Sequence, residues 1–559
     1  MENNESYTPV QRFWRLIRPD RKEIRNVYVY AFFFGLVNLS LPLGIQSIVN
    51  LIQGGQINSS WVILVIFVIT GIAITGVLQV QQLKITEHLQ QKIFSRAAFE
   101  FAYRIPKVKM EALYRKYAPE LMNRFFDVVA IQKGLSKILI DFSTASIQTV
   151  FGLILLSLYH PFFIIYSMIL VVMVYAIFKY TGERGLRTSL AESKNKYELA
   201  HWLQELARTS TSFKLAGETD LPLKKTNIHV DEYLDKRESH FKVLISHYSL
   251  MIVFKVLVAA GLLIVGSILV MEQQMNIGQF VAAEIIILLI LGSVEKLIMS
   301  LETIYDLLTS LEKVGQVTDL ELETEKGIDP CTLVDCDQLS VELTGVSFSY
   351  PGSERRIFDK ANLKIKKKER ILITGAGQTG KTTLLYLLGG LYQIKEGSIS
   401  YNEIPFGNLN PIKLRSVIGD CLMDEQLFEG TLLENITMGR ENASFSNVQW
   451  AIEKMELGGF VKSLPEGYNT LIYPQGKKFP KGIVERLILA RSIADKPKLL
   501  LISDTFSAID RAQKDRIFKF ISSDESPWTL VIATNDVSLE KYAQKQVVVE
   551  NGQLNEIKF

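Results

Sequence analysis

A charge excess of either sign is missing. Sixty-two Lys and Arg face 59 Asp and Glu, leaving +3, and so small and evenly mixed a surplus argues against a nucleic-acid-binding surface. Cysteine is scarce too. Cys331, Cys336 and Cys421 are too few for a disulfide framework, and the C-x4-C pair has no second pair to complete a zinc site, so reduced, unligated thiols are expected. The first apolar run has no clear small-residue cleavage site after it and is longer than a signal-peptide core, so it is expected to persist as a membrane span. What is present is unevenly spread. With 48% hydrophobic residues the apolar fraction is ordinary, yet a mean hydropathy of +0.16 is high for a soluble chain, so apolar residues must be concentrated in part of it. A length of 559 residues also implies more than one folded unit.

Six apolar runs, about 27–50, 61–80, 138–158, 161–180, 243–271 and 280–300, each meet the ~20 residues that a bilayer-spanning helix needs. The connections Gln53 to Ser60, Tyr159–His160 and Glu272 to Gln279 hold no Lys or Arg, whereas Arg12, Arg15, Arg18, Arg21, Lys22 and Arg25 precede the first run. By the positive-inside rule both termini are cytoplasmic and the chain is a multi-pass protein of the cell (inner) membrane. The internal connections, about 81–137 and 181–242, read as helices running out and back, with turns near Val108 to Tyr117 and Glu205 to Leu215. Lys255 and Glu295 lie at similar depth and can pair, either as a structural ion pair or as a polar cavity wall; Glu284 faces a cavity or snorkels outward. Pro42, with Asn38, Ser40 and Gly44, marks a kink or serves helix packing.

After Glu325, short β-prone runs bounded by turns replace the long apolar segments. The expected division is residues 1–320 membrane domain, 321–336 linker and 337–559 soluble domain. Gly375, Ala376, Gly377, Gln378, Thr379, Gly380, Lys381 and Thr382, followed by Thr383, fit G-x4-G-K-[ST] between a β run and a helical one. Backbone N–H groups of such a loop cradle phosphates, with Lys381 reaching the outer phosphates and Thr382 the Mg2+ of bound ATP. The predicted fold class is an all-α six-helix transmembrane domain followed by an α/β P-loop NTPase domain.

On these features the chain resembles ATP-binding cassette (ABC) exporters built as half-transporters. The resemblance implies that Tyr350, in Phe348-Ser-Tyr-Pro351, stacks on adenine, that Leu489-Ala-Arg-Ser492 follows the signature, and that Ser507 to Asp510 is the D-loop. Departures from the family pattern are equally specific. Met423 stands at the glutamine after L-R-x-x-I-G, and Phe479, Pro480, Lys481, Gly482 and Ile483 stand for the signature L-S-G-G-Q. Ser503 replaces the magnesium aspartate, Asp504 the catalytic glutamate and Asn535 the switch histidine. A thioether cannot do the work of an amide. A carboxylate withdrawn by one methylene is misplaced by ~1.5 Å, so ATP binding with weak hydrolysis is expected.

Because family cassettes work head to tail, a pair of identical copies would combine both sets of defects. A second, different ABC half-transporter is therefore the expected partner, as a heterodimer, in an exporter of an unidentified substrate. The alternatives are a non-transporting, ATP-sensing scaffold and an active homodimeric exporter. The lipid bilayer is an expected partner, a periplasmic adaptor is a candidate, and nucleic acid is not expected. The membrane half looks somewhat like bacteriocin and type I secretion exporters, without the N-terminal peptidase domain found in many of them.

Overall fold

The computed structural model describes residues 7–53, 59–114, 116–332, 337–422, 425–503, 506 and 508–558. Two compact units result: Met1–Pro106 with Tyr117–Leu320, and Lys107–Lys116 with Glu321–Phe559. Residues 333–336 of the expected linker lie outside the described residues.

The first unit is helical. Among the described residues six stretches are long and apolar enough to cross a membrane: Pro9–Gln53, Ser59–Lys107, Ala118–Ser157, Pro161–Arg208, Leu221–Met271 and Ile277–Thr318. The first is broken at Leu39, between helices Arg21–Asn38 and Ser40–Gln53. Pro42 sits in the opening turn of the second helix, where its missing N–H is tolerated. Close packing explains its small neighbours: a Cβ on Gly44 would lie 2.1 Å from Val68, and one on Gly71 would lie 2.3 Å from the Ser40 hydroxyl. Helices Ser59–Arg104, Pro161–Arg208 and Leu221–Met271 run unbroken for 46, 48 and 51 residues. At ~1.5 Å per residue each is about 70 to 75 Å long, roughly twice what a bilayer core requires. Helix Ser210–Leu215 makes the second turn where it was expected. The Lys255 ammonium donates to the Glu295 carboxylate at 2.7 Å, so that pair forms.

Two apolar clusters hold this unit together. One joins the spans Pro161–Arg208, Leu221–Met271 and Ile277–Thr318 through Phe163, Phe254, Ile286 and Ile290. The other gathers Val27, Leu89, Ile131, Leu135 and Leu311.

The second unit is an α/β domain. Strands run in the order Gln553–Lys558, Lys545–Glu550, Arg370–Thr374, Thr529–Ala533, Leu499–Ser503, Ile418–Cys421, all parallel except the first pairing. Leu499–Ser503 and Thr529–Ala533 are buried at every position, as central parallel strands covered on both faces must be. A second sheet is antiparallel and includes Val341–Phe348, Phe358–Ile365 and Glu396–Tyr401. Cys421 is a buried free thiol, but Cys331 is disulfide-bonded, which corrects the expectation of three reduced thiols.

Gly185 exposes a close helix contact of the first unit to test. A Cβ there would lie 2.2 Å from the ring of Tyr305, which is 2% exposed and donates its hydroxyl to the Thr181 carbonyl at 3.3 Å. Gly185→Ala is expected to cost about 1–3 kcal/mol of overpacking, read as a lower thermal midpoint of the purified chain. An unchanged midpoint would contradict this packing.

Candidate nucleotide site

The sequence motif lies at the C-terminal end of the buried strand Arg370–Thr374 and runs into helix Lys381–Leu388, the place where open α/β sheets bind ligands. Its shape depends on two glycines. Gly375 has φ +150° and its Cβ would lie 2.6 Å from the Val549 carbonyl oxygen; Gly380 has φ +109° and its Cβ would lie 2.6 Å from Ile357. Gln378 is also left-handed, at φ 65°. Thr379 donates its hydroxyl to the Ala376 carbonyl at 3.0 Å. The Lys381 ammonium donates to the Gly375 and Ala376 carbonyls at 2.7 and 3.0 Å. The lysine is thus folded over the same loop whose phosphate it would grip, and Gly377 faces open space.

Tyr350 is locked beside this loop. Its hydroxyl shares a 2.9 Å hydrogen bond with Thr383, and burial pushes its phenol pKa up. Phe348 and Tyr392 meet its ring edge-on, with centroids 5.2 and 5.4 Å away. Tyr114 stacks on it at 4.8 Å with the planes 6° apart. Tyr114 belongs to the Lys107–Lys116 turn, part of the same compact unit. That turn is secured by backbone bonds from Lys109 N–H to the Glu321 carbonyl at 3.0 Å and from Glu323 N–H to the Lys107 carbonyl at 2.8 Å. Gln393 N–H also donates to the Glu111 carboxylate at 2.7 Å.

At the loop's other flank, Asn535 accepts a hydrogen bond from Gly375 N–H at 3.3 Å. A neutral amide therefore touches the first residue of the phosphate loop. The next residue, Asp536, carries the charge there: hydrogen bonds from Lys514 and Ser538 hold its carboxyl down to about 2. Ser503 ends strand Leu499–Ser503 and is buried. Of the expected site residues, Met423, Asp504 and Ser507 lie outside the described residues.

As donors for Mg2+, the described residues supply the hydroxyls of Thr382 and Ser503. They hold no group of three or more His, Cys, Asp or Glu placed for a metal. Such a set suits an ion that arrives with phosphate oxygens rather than one held by the protein alone.

The signature segment opens helix Lys481–Ile493, with Pro480 at its N-cap. Gly482 has a structural reason to be glycine, because a Cβ would lie 2.6 Å from the Ala508 carbonyl oxygen. Ala508 N–H donates to the Glu485 carboxylate at 3.3 Å. The signature helix and the D-loop are therefore joined through Gly482 and Glu485. Phe479 packs edge-on against Phe460 at 5.2 Å, Lys481 lies 3.7 Å from Glu485, and Ile483 packs against the domain core. Asp510 caps helix Arg511–Ile521 by accepting from Ala512 and Gln513 N–H. Further along the signature helix, Arg491 donates to the Asn435 and Gln426 carbonyls at 2.8 and 3.1 Å.

Sequence reasoning missed Tyr114, Glu111 and Glu425. Glu425 accepts from Leu422 N–H at 2.7 Å. Burial first, and the Asp420 charge second, push its carboxyl above the ordinary range. The only sequence signal was a Glu two places beyond the Met423 position, and its desolvation depends on the fold.

Comparisons with known proteins agree with this geometry. A family model described as "ABC transporter transmembrane region" matches residues 26–294, and one described as "ABC transporter" matches residues 358–507. The chain is 21% identical to the Lactococcus lactis "Lactococcin-A transport/processing ATP-binding protein LcnC" over 99% of itself and 76% of that protein. It is 28% identical to the "Alpha-hemolysin translocation ATP-binding protein HlyB" of Escherichia coli O157:H7 over 52% of itself and 41% of that protein. It is 32% identical to the Bacillus subtilis "Uncharacterized ABC transporter ATP-binding protein YfiB" over 44% of itself. The matched stretch spans 42% of YfiB, less than half of that relative's length. The fold matches the "Structure of a bacterial Atm1-family ABC exporter with ATP bound" with a TM-score of 0.83 at 18% identity, over 96% of this chain and 95% of that one.

These comparisons correct the expected heterodimer. Nearly end-to-end matches to single exporter chains point to assembly from identical copies rather than from two different halves. The physical reason is that altered catalytic residues bear on how fast a site turns over and not on which chain stands opposite it.

The raised carboxyl of half-buried Glu425 makes a pH-dependent prediction. A carboxyl raised by folding stabilises fully below its ordinary value of 4.5, and that stability is lost as pH climbs toward the raised value. Glu425→Gln needs no proton, so its advantage in thermal midpoint over the natural chain should grow from pH 5 to pH 8. A constant offset would show that Glu425 is ionised in the folded state.

Proposed function

Because the chain belongs to the ABC transporter family and carries both a membrane region and an ATP-binding cassette, we propose that two copies of it form an ATP-driven exporter. The substrate, unidentified, is moved out of the cytoplasm. The observation that carries this reading is the phosphate cradle Gly375–Thr382, which follows six membrane-spanning stretches in the same sequence.

ATP enters with its phosphates against the loop's N–H groups. Lys381 exchanges its two loop carbonyls for the outer phosphates, Thr382 offers its hydroxyl to Mg2+, and Tyr350 supplies an aromatic wall for adenine. Pairing is supported by what the second internal turn leaves bare: Leu215 is 83% and Leu223 75% exposed, an apolar cost that a neighbouring copy would relieve.

Hydrolysis in each site is slow. Ser503 places a hydroxyl where a carboxylate would neutralise the metal, Asp504 is one methylene short, and Asn535 is neutral at the loop's edge. Because phosphoryl transfer depends on positioning and charge, such losses act on turnover more than on binding. The same substitutions also favour a second reading, an ATP-sensing scaffold that transports nothing.

The full chain is expected to retain a fluorescent ATP analogue, with Lys381→Ala weakening retention at least ~10-fold, and to sediment as a dimer. Ser503→Asp with Asp504→Glu should raise turnover by roughly 10- to 100-fold. Fast hydrolysis by the natural chain, left unchanged by that pair, would refute the slow-site account. ATP-dependent flux in proteoliposomes supports the exporter, and its absence with nucleotide still bound supports the scaffold.

A further inference from the structure

The segment that leads into the first span is held on one side and bare on the other. Helix Pro9–Ile17 opens with a Thr8 and Gln11 capping box and Pro9 at its first position, so it is well started without tertiary help. Its inner side is anchored by Arg12, which is paired with Glu312 and, at 2.7 Å, with Asp319. Gly315 makes room for that docking, since a Cβ there would lie 2.2 Å from the Arg12 guanidinium. The only carboxylates of residues 7–30, Asp20 and Glu23, also point inward, to Arg96 at 2.7 Å and Lys92 at 2.5 Å.

That arrangement removes every local acid from the outer side. There, Trp14, Arg15, Arg18, Arg21, Arg25 and Tyr28 line an open groove with a volume of about 770 Å³. Three consecutive pieces of chain supply that lining: helix Pro9–Ile17 gives Trp14 and Arg15, the 3-10 turn Arg18–Asp20 gives Arg18, and helix Arg21–Asn38 gives Arg21, Arg25 and Tyr28 at helical spacing. Four guanidinium groups thus surround a groove with no acidic lining residue. None of the four forms an ion pair among the described residues; Arg15 instead lies 4.2 Å over the Tyr7 ring. Trp14 is 62% and Tyr28 46% exposed, which is costly in water and favourable at a bilayer interface.

We propose that this groove binds the phosphodiester headgroup of an anionic phospholipid of the cytoplasmic leaflet. Location decides the source of the phosphate. The groove sits where the chain enters its first span, on the Arg-rich side, so lipid headgroups are its permanent neighbours. Guanidinium groups bind phosphate oxygens in bidentate fashion, and a basic pocket at the cytoplasmic face of a helix bundle is the kind of site that anionic headgroups fill. Exposed Trp14 and Tyr28 line the same groove and suit a membrane interface. Because Arg12 ties helix Pro9–Ile17 to Glu312 in Ile277–Thr318 and to Asp319 at its end, a bound lipid would brace the cytoplasmic end of the last span as well as the first.

The test uses the full-length chain in maltoside micelles and fluorescent phosphatidylglycerol, with phosphatidylcholine as the comparison. Phosphatidylglycerol should bind more tightly, and R18Q/R21Q/R25Q should weaken it on the order of 100-fold while leaving phosphatidylcholine unchanged. Lys22→Gln, one charge removed outside the groove, should bind like the natural chain. Equal binding of the two lipids, equal loss on Lys22→Gln, or full competition by millimolar inorganic phosphate would overturn the proposal. Should the triple variant misfold, brominated phosphatidylglycerol decides on the natural chain. It should quench tryptophan fluorescence, and Trp14→Phe should remove that part of the quenching; quenching unaffected by Trp14→Phe would overturn the site.

Discussion

The backbone from Gly375 to Lys381 leaves no room for a Cβ at Gly375 or Gly380. Val549 crowds the first and Ile357 the second, and both neighbours are held by the buried sheets behind them. The loop is therefore shaped by the packing of the cassette rather than by any ligand. Lys381 rests its ammonium on the loop's own Gly375 and Ala376 carbonyls. Pre-organisation of this kind is what allows binding to survive substitutions around the site. Tyr350, Thr383 and Asn535 are all fixed relative to this loop.

Around that fixed cradle, the cassette ties its working parts to one another by single contacts. Gly482 and Glu485 hold the D-loop to the signature helix, Arg491 holds the Asn435 and Gln426 backbone to the same helix, and Lys514 fixes Asp536 beside the loop. The membrane unit follows a different rule. Its ionic groups meet one another, as in Lys255 with Glu295 or Arg12 with Asp319, and its glycines sit where helices cross. Apolar bulk does the rest.

Local features were legible in the sequence. Span number, the phosphate loop and the second turn at Ser210–Leu215 follow from run length, spacing and turn residues, all short-range properties. The break at Leu39 was only half visible, because Pro42 marks where a helix can begin and not where the previous one ends. Contacts between distant residues were not legible. Nothing in the Lys107–Lys116 stretch announces that Tyr114 will stack on Tyr350, and a Glu at position 425 looks like any surface carboxylate until the fold removes its water. The partner expectation failed for a related reason: counting altered catalytic residues says how fast a site turns over and says nothing about which chain stands opposite it.

The central claim is that nucleotide in the Gly375–Thr382 cradle works across two copies of this chain. Its most direct test is a distance measurement between spin labels placed on exposed Glu525 of the two copies in a reconstituted bilayer. The account predicts a distribution between copies that shifts to shorter distances when ATP is added and does not shift in Lys381→Ala. No distance between copies, or one that ignores ATP, would contradict it.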